Sequence, residues 1–195
     1  MRRPGGADFA PGAYVFPGGT VHDDDRGFED EIRAAAVREL FEEVGILLAR
    51  AGRSFARDAE CMRLREAIDD EASFATAMRN AGLAPAFDRL VLFARWVTPA
   101  QLRRRFDARF YLARLPARQT VHPQPGEVTD WLWTAPRAAL DSPNLTLVYA
   151  TRAVLESVAD SPDVNALFGR ARRLREVPIV EPRIVETAAG WAVER

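Results

Sequence analysis

The strongest constraint on this chain is one helix-length segment whose two sides differ in chemistry. Across residues 29–49, Val37, Leu40, Phe41, Val44, Leu47 and Leu48 recur at i, i+3, i+4, i+7, i+10 and i+11. That is a single apolar stripe of an α-helix, which must pack on a core. Glu39, Glu42 and Glu43 stand at i, i+3 and i+4. Helical spacing gathers their carboxylates on the nearly opposite side, within little more than one turn. Like charges so placed repel, and a plain helix gains nothing from them beyond a solvated acidic face. A divalent cation removes the penalty. Hard carboxylate oxygens suit Mg2+ or Mn2+, which keep waters and bind phosphates. Arg38 adjoins the cluster and is able to orient one carboxylate through a bidentate pair.

The rest of the chain supplies layers for that helix. Residues 13–16 read as a short strand in a Gly- and Pro-rich opening. Residues 56–82 read as one or two helices closed by Gly82, so about 50–85 looks like a helical insertion. Strands are expected at 90–97, 106–112 and 127–134, and helices at 146–158 and 162–174, the last with Ser161 as N-cap and Pro162 at its first position. A terminal hairpin falls within about 176–195, with strands at 184–186 and 191–193 around Ala188, Ala189 and Gly190. This order implies a single α/β domain over 1–195. The lone cysteine, Cys61, excludes an internal disulfide and reads as a small helix residue. A net charge of −1 offers no electrostatic case for wrapping nucleic acid. No run of about 18 apolar residues exists to span a membrane, and neither a secretory signal nor a terminal address is evident, so the cytoplasm is the default.

Arg38-Glu39-Leu40-Phe41-Glu42-Glu43-Val44-Gly45-Ile46 resembles the second half of the Nudix box, G-x5-E-x7-R-E-U-x-E-E-x-G-U, at every fixed position. Phe16-Pro17-Gly18-Gly19 resembles the loop that opens it. In the first half, Asp30 stands eight residues before Arg38, where the box has its first Glu, and ten residues separate Gly19 from Asp30. The resemblance implies an α/β/α sandwich with a mixed sheet. It also implies metal ligation by Glu39, Glu42 and Glu43, one of them a candidate base for water, and a metal contact from the Gly19 carbonyl. The expected activity is metal-dependent hydrolysis of a diphosphate linkage in a small-molecule nucleotide derivative.

From about Phe9 to Thr151 the chain is similar to the acyl-coenzyme A diphosphatase branch. The similarity lies in Pro11 through Gly19, Trp96-Val97-Thr98-Pro99, Arg105 through Tyr111, Glu127-Val128, Trp133 and Pro136. That branch implies coenzyme A or acyl-coenzyme A as substrate, with 3′,5′-ADP and 4′-phosphopantetheine as products. Its signature before the box, L-L-T-x-R-[S/A]-x3-R-x3-G-x3-F-P-G-G, places Arg3 on the first Arg but Asp8 on the second. Asp8 favours the alternative substrates: ADP-ribose, a dinucleotide or a nucleoside diphosphate sugar. A non-catalytic binding module ranks last, because all three box carboxylates are present.

Arg3 and Arg105 are the candidates for substrate anions. Glu127 is an extra metal ligand or base, or else a surface residue. Asp107 and Arg109 read as structural, His22 and His122 as loop residues, and the Arg103–Arg105 run as a solvated face. Trp131 and Trp133 share one face of the expected strand and read as core. Little chain precedes the box loop to form the fold's opening strand. Either the numbered start is late, or another segment, such as one from a homodimer partner, is expected to cover that sheet edge.

Overall fold

The computed structural model describes residues 1–195 apart from 71, 104, 188, 189 and 195. Helix α1 spans Glu31–Val44. Asp30 caps its start by accepting the Arg33 N–H at 3.0 Å. Gly45 ends it at φ 75°, its N–H returning to the Phe41 carbonyl at 2.8 Å. A side chain at Gly45 would also lie 2.9 Å from His122. The helix is therefore shorter than the 29–49 expected from its stripe. Leu47 and Leu48 are still buried, but from the segment beyond the stop. There the buried Gln119 takes over the hydrogen bonding: it accepts from Leu47 N–H and donates to the Leu47 and Ala56 carbonyls.

Next come β1 (Ala49–Ala51), β2 (Ser54–Phe55), α2 (Asp58–Asp69), α3 (Phe74–Asn80) and β3 (Ala84–Pro85). The three strands pair antiparallel in the order β2-β1-β3. Of the one or two helices expected here, two form, with short strands framing them. Cys61, Leu64, Phe74 and Met78 join Val37, Phe41 and Leu48 in one buried cluster. Asp24 anchors the far side by accepting the Ala75 N–H at the start of α3.

Strands β4 (Val91–Val97) and β5 (Asp107–Leu112) pair antiparallel, with an irregularity between Leu92 and Ala94. Helices α4 (Pro136–Asp141), α5 (Tyr149–Ala159) and α6 (Val164–Arg172) follow. Then β6 (Ile179–Val180) adds parallel to β4, which makes the sheet mixed. Phe93, Trp96 and Phe110 pack with Ala153 and Val154 of α5, whereas Tyr111, one residue on, packs with the α1–α3 cluster. Alternation along β5 thus gives the sheet a helical layer on each face. A hairpin of β7 (Arg183–Thr187) and β8 (Gly190–Glu194) closes the described chain. Its expected turn at Ala188 and Ala189 lies outside the described residues.

Several local expectations need correction. Residues 13–16 and 127–134 form isolated bridges rather than strands: Arg2 bridges Tyr14 and Asp130, and Tyr14 bridges Leu147. With no layer over this segment, Trp131 and Trp133 are 39% and 69% exposed and are not core. The sheet edge expected to need another segment is paired by residues 1–3. Arg3 N–H meets the Ala13 carbonyl, Val15 N–H the Met1 carbonyl, and Arg2 N–H the Asp130 carbonyl. Helix α6 starts later than expected because Asp163, not Ser161, caps it by accepting Ala166 N–H.

Candidate active site

Glu39, Glu42 and Glu43 sit on α1, where the loop at Gly18 and Gly19 approaches Glu43 and Glu39 and the backbone of His122 and Gln124 bonds to the end of the helix. The carboxylate side of the helix is therefore less open than helical periodicity implies. Glu43 is 6% exposed, and the Glu39 and Glu42 side chains are 13% and 34% exposed. Glu43 Oε2 accepts the Gly18 N–H at 2.8 Å. Gly19 lies against the Glu39 carboxylate: a Cβ there would stand 2.3 Å from its Oε1, so any larger residue would have to displace that carboxylate.

Arg38 organises the interior of the site. Its side chain is 3% exposed and forms a bidentate pair with Asp25, Nε to Oδ1 and Nη2 to Oδ2, both at 3.0 Å. Nη1 donates to Glu39 at 2.9 Å and to Glu42 at 2.7 Å, and Nη2 also donates to the Thr20 carbonyl. Burial works against the Arg38 charge, but Asp25, Glu39 and Glu42 more than offset it, so its pKa is raised. The buried partner of Arg38 is Asp25, whereas Asp30 is the helix cap. The signal for this was a count: five residues separate Gly19 from Asp25, the spacing of G-x5-E. The extra chain therefore lies between Asp25 and Arg38, not between Gly19 and its acidic partner.

Burial raises the Glu43 carboxyl to about 7. The Gly18 hydrogen bond opposes this, Glu39 and Glu127 add to it, and Arg3 opposes it. Glu39 is also raised, first by burial; Arg38 opposes the shift and Glu42 adds to it. The carboxylates therefore stand close enough to disfavour one another's charge.

Glu43 lines a cleft of about 410 Å³ together with Arg3, Pro4, Gly6, Ala7, Gly126 and Glu127. This brings Arg3, Glu43 and Glu127 together. The Nε of Arg3 is buried there without a hydrogen-bond partner. Arg105 is placed elsewhere. It donates to Glu181 at 2.6 Å and to the Thr98 carbonyl, and it does not line the cleft. Asp107 pairs with Arg95 across the β4–β5 ladder. His122 meets Thr120 at 2.8 Å, and the His22 backbone N–H donates to Asp25.

The NUDT19 Nudix domain family matches residues 29–150. The chain is 32% identical over 142 residues to "Putative nudix hydrolase 7" of Caenorhabditis elegans, which covers 72% of this chain and 47% of that protein. It thus spans about half the length of that relative. The crystal structure of a NUDIX hydrolase from Alicyclobacillus acidocaldarius superposes with a TM-score of 0.72 at 27% identity, covering 86% of this chain and 85% of the other. The chain belongs to the Nudix hydrolase family. The acyl-coenzyme A diphosphatase resemblance is consistent with the NUDT19 match.

Nudix hydrolases in general use divalent metal ions. Among the described residues no three Asp, Glu, His or Cys side chains gather around one point. Instead Arg38 Nη1 bridges Glu39 and Glu42. The donor chemistry nonetheless fits a hard cation: the carboxylates oppose one another's ionisation, and the backbone at Gly19 lies against Glu39. Among the described residues no helix is long and apolar enough to cross a membrane.

Proposed function

We propose that the chain hydrolyses the diphosphate linkage of coenzyme A or a short acyl-coenzyme A, giving 3′,5′-ADP and a 4′-phosphopantetheine product. The observation that carries the hydrolytic reading is the shared cleft lined by Arg3, Glu43 and Glu127, with Glu39 and Glu42 on the same helix as Glu43. The coenzyme A assignment is supported by the NUDT19 match. In this reading Glu39, Glu42, Glu43 and the Gly19 carbonyl hold Mg2+ or Mn2+. The bound ion supplies charge neutralisation on the diphosphate and activation of water. Glu43 or Glu127, the two carboxylates lining the cleft, takes the proton from the attacking water. Arg38 holds Glu39 and Glu42 in place, and the unpartnered Arg3 Nε donates to a phosphate oxygen. Arg105 is already paired with Glu181, which partly neutralises its charge toward a substrate anion.

The test is a panel of coenzyme A, acetyl-coenzyme A, ADP-ribose, a dinucleotide and a nucleoside diphosphate sugar, with Mg2+ or Mn2+ and mass analysis of products. Coenzyme A should yield 3′,5′-ADP. Glu42→Gln and Glu43→Gln should each remove most turnover while leaving the fold intact by circular dichroism. Near wild-type rates in both variants at saturating metal would exclude this site. Glu127→Gln separates the two candidate bases: a large loss in kcat assigns the role to Glu127. The exposed Asp8 favours ADP-ribose as the second reading, and exclusive cleavage of that compound would establish it.

A further inference from the structure

Glu42 and Glu43 occupy the last turn of α1, which contains no basic residue. A helix C-terminus presents carbonyls with partial negative charge, usually answered by Lys or Arg nearby. Two carboxylates at this end increase the need. The answering charge comes from α2. Arg65 Nη2 donates to the Phe41 carbonyl at 2.6 Å and to the Glu42 carbonyl at 3.2 Å. Its guanidinium carbon lies 4.9 Å from the centroid of the Phe41 ring. Nη1 donates to Gln124 Oε1 at 2.6 Å.

Gln124 carries the connection onward. Its N–H donates to the Glu43 carbonyl at 2.9 Å. Its own carbonyl accepts from Glu127 N–H at 3.2 Å and Val128 N–H at 3.1 Å. One guanidinium therefore joins the helix turn bearing Glu42 and Glu43 to the loop bearing Glu127. Both elements line the cleft, one through Glu43 and the other through Gly126 and Glu127. Other contacts also hold the helix end, since Gly45 N–H meets the Phe41 carbonyl and His122 N–H the Val44 carbonyl. Among the described residues, Arg65 is the side chain that hydrogen-bonds both to the end of α1 and to the side chain of Gln124.

We infer that Arg65 is a positioning residue for the hydrolytic site, setting the separation between the Glu42–Glu43 turn and the Glu127 loop. It does not line the cleft and acts through the helix carbonyls and Gln124. The kinetic consequence rests on the diphosphate-hydrolase reading; the structural consequence does not. Arg65→Met keeps an apolar stem near Phe41 but loses every donor. Arg65→Lys retains the charge with fewer simultaneous hydrogen bonds. Gln124→Leu leaves the Arg65 contacts to α1 and the backbone bond from Gln124 N–H to the Glu43 carbonyl in place, and removes only the Arg65 contact to the loop.

The experiment combines amide hydrogen exchange with steady-state kinetics on the wild type and these three variants, well below their melting temperatures. In Arg65→Met, exchange at Gln124, Glu127 and Val128 should accelerate by about tenfold or more, while the β4–β5 ladder stays unchanged. On the substrate the wild type cleaves best, kcat should fall on the order of tenfold to a hundredfold, with KM within about twofold. Arg65→Lys should recover part of both effects, and Gln124→Leu should reproduce the loop effect. If Arg65→Met does not fold, the other two variants decide the matter by the same readouts. Unchanged exchange across 124–128 overturns the inference. So does a lowered melting temperature with uniformly faster exchange and an unchanged kcat, which is the mark of a purely structural residue. A wild type that cleaves no diphosphate removes the hydrolase reading, and the exchange pattern alone then supports or overturns the role of Arg65 in placing the loop.

Discussion

At the residue scale, the site depends on how buried charges are answered. Asp25 is fully buried and its two oxygens accept from Arg38. Removing one partner of such a pair leaves the other charge uncompensated, at a cost of roughly 3–5 kcal/mol. Asp25→Asn should approach the lower end, because Glu39 and Glu42 still contact Arg38. Urea denaturation checks this, and a loss below about 1 kcal/mol would argue against the pair as an anchor. Glu43 leads to a pH prediction for the metal-free protein. Its carboxyl rises to about 7 from an ordinary 4.5, so the folded state binds the proton more tightly than the unfolded state. The stability this adds is complete below about 4.5 and is lost as pH rises through about 7, a span worth roughly 3 kcal/mol. Relative to Glu43→Gln, the wild type in chelator should weaken between pH 5 and pH 8. A divalent ion at the higher pH should restore the wild type but not the variant. Parallel stability profiles would refute the assignment.

At the element scale, α2 and α3 do more than decorate the sheet. Their position between α1 and β4 implies a segment that tolerates alteration with limited damage. The buried cluster argues otherwise: Leu64 and Met78 are each 1% exposed and share a core with Val37 and Phe41 of α1. Leu64→Ala should cost about 2–5 kcal/mol, the range for a large-to-small change in a packed core. Excising residues 58–80 should unfold the chain, since it would expose the apolar stripe of α1. A Leu64→Ala loss under about 1 kcal/mol by chemical denaturation would show that the segment is dispensable after all.

At the scale of the whole molecule, the opening loop and the 124–128 loop enclose the cleft, and their charges bear on substrate choice. Arg3 faces the cleft and Asp8 is exposed. An Asp where the branch signature has an Arg offers no clamp for a 3′-phosphate, a contact otherwise worth roughly 1.5–3 kcal/mol. The kcat/KM ratio of coenzyme A to 3′-dephospho-coenzyme A should therefore be close to one. A preference for coenzyme A above about a hundredfold would mean another residue supplies the clamp. Helix α1, its three carboxylates, the strands β4 and β5 and the helical character of 56–82 were legible in the sequence, because hydrophobic period and local spacing encode them directly. Segment 127–134 misled, because its strand-like composition says nothing about whether a partner and a covering layer exist. The role of Asp25 lay in a spacing that the neighbouring Asp30 obscured. Placing Arg65 and Gln124 behind the carboxylates depends on packing α2 against the end of α1. The sequence by itself determined the chemistry on one helix; only the tertiary structure decided which distant side chains answer its charges, because those contacts span 23 and 59 residues of chain and leave no local period to read.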